Sequence, residues 1–163
     1  MEEWIMEVRA MLRGQLTAVF EDAKDLGNRY LQDVMDTNKG KDWNQKNKLE
    51  FRVRMNKNES AISIEWYSIN WYGKKETGRT RRRDYIPKRN KSRRRNSQVY
   101  SYSMDDLLLH TVGWDIDLVE AVEAEASQYR RQAHYLSDML VTLGRLERFM
   151  AGDVEESPTE EEQ

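Results

Sequence analysis

From Trp4 to about Asp36 apolar residues fall at Ile5, Val8, Leu12, Val19, Ala23, Leu26, Tyr30 and Val34, the three-and-four spacing of one helical face. At 1.5 Å per residue such a helix is a rod of about 50 Å. A rod cannot bury its stripe on itself, so this segment demands a partner surface of matching length. Gly14 and Gly27 are weak points along it, and Thr37-Asn38-Lys39-Gly40 is its stop signal.

A second stripe of similar length lies near the other end of the chain. Between about Asp115 and Met150, Val119, Val122, Ala126, Tyr129, Ala133, Leu136, Leu140 and Leu143 form a heptad seam that breaks at Glu147. It is preceded by Ser103-Met104-Asp105-Asp106, a hydroxyl at an N-cap followed by acids in the first turn, which predicts a short helix to about Thr111, stopped near Gly113.

Between the stripes the period falls to two. In Lys48-Leu49-Glu50-Phe51-Arg52-Val53-Arg54-Met55 the odd-numbered residues are apolar and the even-numbered ones charged, as a half-buried strand requires. Asn56 to Ser60 has turn composition, and Ala61 to Trp71 is β-branched and aromatic, so the two segments read as a hairpin. The apolar phase of the second strand runs Ile62, Ile64, Trp66 and then Ile69, Trp71, a slip that suggests a bulge near Tyr67 or Ser68 and turns both Trp66 and Trp71 inward. Arg79 to Pro87 and Arg95 to Tyr102 are expected as two further strands. The fold class is therefore α+β: two long terminal helices packed with a small antiparallel meander, and a short helix before the last one. The helices pack on each other, on the sheet, or against a second copy. Residues 1–152 are read as one domain and 153–163, with six acids and no base, as a disordered acidic tail.

Composition excludes several classes. There is no cysteine, so disulfides and thiolate metal sites are absent, and His110 and His134 stand too far apart for a metal-ligand pair. No apolar run approaches the ~20 residues of a membrane span, and the acidic start is unlike a secretory signal; a soluble, cytoplasmic protein is expected. No Walker loop, dinucleotide fingerprint or nucleophile elbow occurs. Asp115-Ile116-Asp117 reads as helix N-terminal acids, and both histidines read as structural. A metal-independent tyrosine nucleophile stays open, but the expectation is no catalytic residue, no cofactor and no metal.

Charge is segregated. Residues 39–95 carry 19 basic and 6 acidic side chains, and residues 96–163 carry 4 and 15, although the net for the chain is only −2. Residues 74–95, read as a basic hairpin with Asn90-Lys91-Ser92 near its tip, hold Lys74, Lys75, Arg79, Arg81, Arg82, Arg83, Lys88, Arg89, Lys91, Arg93, Arg94 and Arg95. Crowding these cations costs self-repulsion that phosphate relieves, and arginine suits bidentate phosphate and major-groove guanine contacts. Arg52 and Arg54, with Lys48, extend the patch across the first strand. Tyr67, Tyr72 and Tyr85 interleave with it as candidates for base stacking. Nucleic-acid binding is the favoured reading. An electrostatic contact with an acidic protein, or RNA binding by the arginine-rich segment, is the alternative.

The block Ile62 to Tyr72 (ISIEWYSINWY), a basic stretch holding Tyr85-Ile86-Pro87-Lys88 and an acidic C-terminal helix together resemble the MobI family, small auxiliary proteins of bacterial conjugative plasmids and integrative elements. The specific part is the IEWY-x-I-x-W block at Ile64 to Trp71. The resemblance implies a role in starting conjugative DNA transfer, with DNA at the origin of transfer as the partner and a separate relaxase doing the nicking. Other transfer proteins, or a second copy through the C-terminal helix, are further partners to expect. It supplies no functional-residue motif, so the contact residues named above rest on charge and position.

Overall fold

The computed structural model describes residues 2–89 and 99–153. The long helix α1 (Glu3–Asn38) is followed by a single 3-10 turn (Trp43–Gln45), then β1 (Leu49–Met55), β2 (Ile62–Tyr72) and β3 (Thr80–Tyr85), a short α2 (Met104–Leu108) and the long α3 (Ile116–Met150). The strands form one antiparallel sheet in the order β1-β2-β3. The predicted α+β architecture is the one observed.

The two helical stripes satisfy each other. Ile5 and Leu12 pack with Leu143 at one end, Leu16 and Val19 with Ala133 in the middle, and Leu26, Tyr30 and Val34 in one cluster with Val119, Val122 and Ala126 at the other, so α1 and α3 run antiparallel. The heptad seam of α3 is thus occupied by α1 of the same chain. Arg9–Glu147 and Arg29–Glu125 ion pairs cross between the helices in the same sense.

The sheet lays one face on this pair. Leu49, Phe51, Val53 and Met55 of β1 stand opposite Ser68, Trp66, Ile64 and Ile62 of β2, and this set packs against the helices around the fully buried Trp66. Gly27 is no weak point: a Cβ there would lie 3.1 Å from the Phe51 ring, so glycine lets α1 approach β1 closely. The opposite face of the sheet carries Arg52, Arg54, Glu65, Tyr67, Arg83 and Tyr85.

Three local expectations need correction. No bulge interrupts β2, because its pairing is continuous from Ile62 to Ser68 with β1 and from Tyr67 to Tyr72 with β3. Ser68 simply continues the inward phase, so Trp71 lies on the outer face and is 45% exposed. The fourth strand does not form in its described part, residues 99–102, because side chains take up the backbone groups there. The Tyr102 N–H donates to Glu123 at 2.6 Å and the Tyr100 carbonyl accepts from Arg130 at 2.8 Å. Helix α2 ends at Leu108, and the Ser103 hydroxyl makes no cap bond to it. Asn90, Lys91 and Ser92, and the tail from residue 154, fall outside the described residues.

A buried polar network fixes α3 to the sheet. Glu123 and Arg130, 4% and 7% exposed, form a two-point ion pair at 2.7 and 3.0 Å. Trp66 Nε1 donates to Glu123 at 2.8 Å, Arg130 Nε donates to the Ile64 carbonyl at 2.8 Å, and the guanidinium lies 4.9 Å from the Tyr102 ring centre. At the other end of the core Asn47 donates to both Asp115 (2.7 Å) and the Tyr30 hydroxyl (3.0 Å), and that hydroxyl donates to the Leu49 carbonyl at 3.1 Å. Asp115 is the residue before α3, but its carboxylate turns back to Asn47 and the Val112 N–H rather than capping the helix.

Candidate nucleic-acid interface

Alternation along three paired strands gathers side chains distant in sequence onto the outer face. Glu50, Arg52 and Arg54 come from β1, Glu65 and Tyr67 from β2, and Arg81, Arg83 and Tyr85 from β3. Tyr67 is central. The Arg52 and Arg83 guanidinium groups lie 5.4 and 5.9 Å from its ring centre and Tyr85 meets it edge-on at 5.7 Å, all within reach of cation–π and aromatic attraction.

Carboxylates order the arginines. Arg81 and Arg83 both donate to Glu50 Oε2, at 2.9 and 2.8 Å. Arg54 donates to Glu65 at 2.7 Å and to the Tyr67 hydroxyl at 3.2 Å, while that hydroxyl donates to Glu65 at 2.8 Å. Arg82 donates to its near neighbour Asp84 at 2.8 Å. Partial burial pushes the Glu50 carboxyl up, but hydrogen bonds from Arg83 and Arg81 outweigh it and hold the group below the ordinary carboxylate range. Tyr67 is pushed up by burial and by its bond to Glu65. A guanidinium has five N–H donors, and among the described residues each of these arginines uses one or two, so donors remain for phosphate oxygens.

The cations predicted from sequence therefore divide into groups. Arg52, Arg54, Arg81 and Arg83 share the outer face. Arg82 lies on the other side of β3, 5.9 Å from the ring of the half-exposed Tyr72. Lys74 and Lys75 are exposed in the turn between β2 and β3. That turn depends on Gly73, at φ +96°, where a Cβ would come within 2.6 Å of the Gly78 carbonyl oxygen. Arg79 leaves the sheet and lies 4.3 Å over the Trp43 ring. Lys88 is half-buried beside the Tyr102 ring, and burial together with the nearby Arg130 pushes its ammonium below the usual lysine range. Arg89 reaches Asp106 at 3.9 Å. Lys91, Arg93, Arg94 and Arg95 lie outside the described residues. Because Arg81, Arg82 and Arg83 pair with Trp71, Asn70 and Ile69, they belong to a sheet surface rather than to a separate ribbon.

Sequence reading missed the ordering carboxylates and Trp43. A lone tryptophan inside Gly40-Lys41-Asp42-Trp43-Asn44-Gln45 has no apolar neighbours to bury it, and that was the available signal.

The family model described as MobI protein matches residues 19–144, well over half of the chain. The chain belongs to the MobI family. Membership marks it as a mobilisation-related protein, and the matched span takes in Trp43, the whole sheet and most of both long helices. No curated protein and no solved structure matches it. Among the described residues no helix is long and apolar enough to cross a membrane, and no cluster of three or more histidine or carboxylate side chains is placed to hold a metal.

Proposed function

We propose that this MobI-family protein is a non-enzymatic DNA-binding accessory of conjugative transfer, which engages the origin of transfer through the outer face of its sheet and helps a separate relaxase begin. The observation that carries this reading is the set of Arg52, Arg54, Arg81 and Arg83 around Tyr67 on one face of the sheet, ordered by Glu50 and Glu65. Phosphate contacts from such a set position the protein, and sequence is read by the few side chains that reach base edges. In a filter-retention assay at low salt, a duplex carrying the element's own origin of transfer is expected to be held more tightly than an unrelated duplex of equal length. Equal retention would remove the origin from the proposal, and retention of neither would remove DNA.

A second copy belongs to the same proposal, but not through the heptad seam that α1 covers. Among the described residues the core cluster of Ile5, Leu12 and Leu143 contains no strand residue, so this end of the helix pair extends past the sheet. There a groove is lined by Val8, Met11, Tyr135, Met139, Thr142 and Leu146. The spacing of the last four, by four, three and four, makes a second seam beside the first. At 100° per residue the exposed Glu3 and Glu7 flank it on α1, and the exposed Asp138 and Arg145 flank it on α3. Under a two-fold axis along the helices, Glu3 and Glu7 of one copy approach Arg145 of the other. Sedimentation equilibrium is expected to give a dimer, and Met139→Glu with Leu146→Glu a folded monomer. A monomeric unsubstituted protein at micromolar concentration would contradict the proposal.

A further inference from the structure

Trp43 and Trp71 lie 28 residues apart in sequence, yet their ring centres are 5.3 Å apart and their planes meet at 62°. Both are about half exposed, 48% and 45%. The corner between them opens into a notch of about 280 Å³, lined also by Ile69, Lys46, Lys48 and Arg81. Its lining contains three cationic side chains and no carboxylate among the described residues. One ring of the pair is already engaged, since Arg79 lies 4.3 Å over Trp43 and Lys46 is 5.9 Å from the same ring. Trp71, held in the sheet opposite Arg81, is left as the stacking surface.

Two half-exposed indoles are costly to leave in water unless something apolar and flat covers them. The surrounding charge selects for an anion. A flat aromatic group joined to an anion is a nucleotide, and a volume just under the ~300 Å³ at which drug-sized pockets begin suits a single base. Bases inside a duplex are stacked on their own neighbours and offer no free face. We infer that the Trp43–Trp71 notch binds one unpaired DNA base, stacked on Trp71 with Trp43 as the wall, while Lys46, Lys48 and Arg81 take the adjoining phosphates. The inference rests on the DNA-binding reading above and adds strandedness to it. Arg81 belongs to both surfaces, so a strand leaving a duplex on the sheet face would enter the notch directly.

The test is titration of the full chain with a short oligothymidylate at fixed salt, followed by tryptophan quenching and by fluorescence anisotropy of the labelled strand. Trp71→Ala is expected to weaken single-strand binding on the order of tenfold, the effect of losing one base stack. Trp71→Phe, which keeps a flat ring, is expected to retain most of the affinity, and neither substitution should change binding to a duplex. Trp71→Ala binding oligothymidylate as tightly as the unsubstituted protein would overturn the notch while leaving the duplex reading intact. Failure of the unsubstituted protein to bind either strand form would overturn both. Preference for oligouridylate over oligothymidylate would overturn DNA as the ligand.

Discussion

Glu123→Ala is expected to cost about 3–5 kcal/mol of folding stability, the usual penalty for stranding the partner of a buried ion pair. The lost carboxylate takes with it both bonds to Arg130, the acceptor for the Trp66 indole N–H and the acceptor for the Tyr102 backbone N–H. Among the described residues Arg130 would then keep the Ile64 and Tyr100 carbonyls and the Tyr102 ring, with its charge uncompensated in the core. In a chain of this size the melting temperature should fall by roughly 10 °C or more. Removing the exposed Arg29–Glu125 pair, which also joins α1 to α3, should change stability by less than about 1 kcal/mol. A thermal melt of Glu123→Ala within about 1 kcal/mol of the unsubstituted protein would mean that the network is not what fastens α3 to β2. The network also bears on the interface, because it anchors the chain on the far side of the basic segment, at Tyr102, while the Ile86 N–H bonded to the Trp66 carbonyl at 3.1 Å anchors the near side.

The second large effect is on binding. Replacing Arg81 and Arg83 together with alanine removes two charged donors from one face, each worth about 1.5–3 kcal/mol if it bonds phosphate. Duplex affinity should fall on the order of hundredfold or more. Glu50→Gln provides the opposite sign. It removes the carboxylate to which both guanidinium groups donate and the repulsion it exerts on a polyanion, while leaving a side chain of the same shape. Affinity should rise. If Glu50→Gln weakened binding as much as the arginine substitutions do, the carboxylate would be contacting the ligand itself, and the face would not be a phosphate surface.

The legible parts of the fold were those in which a period survives in the residue types. The α1 stripe and the alternation of β1 translate directly into the buried set Ile5 to Val34 and the inward set of buried Leu49 with partly buried Phe51, Val53 and Met55, since a helix or strand with one dry face must write that face into its sequence. Trp71 was misread because apolar character was equated with inward direction. On β2 the outer face is itself aromatic, and the inward position is taken by Ser68, so the phase seemed to slip where the strand is regular. The α3 seam was legible but its partner was not, because a heptad pattern records that a surface is covered and not by which helix. Glu123 and Arg130 stand seven residues apart beside that seam and look like solvated helix charges; only the approach of Trp66 and Tyr102 makes them core. At the interface the excess of cations was visible, whereas their sorting was not. Whether Arg83 faces Glu50 or solvent depends on the β1–β2–β3 register, which juxtaposes residues 33 positions apart.

The central claim is that the outer sheet face is where DNA phosphates sit, and the salt dependence of duplex affinity tests it most directly. The slope of log affinity against log salt should be steep for the unsubstituted protein, and should fall by roughly 0.9 for each phosphate contact removed among Arg52, Arg54, Arg81 and Arg83. Alanine at the exposed Arg13 of α1, which lies off the sheet, should leave the slope unchanged. Equal slopes for the sheet-face and helix variants would contradict the account and move the nucleic acid elsewhere on the molecule.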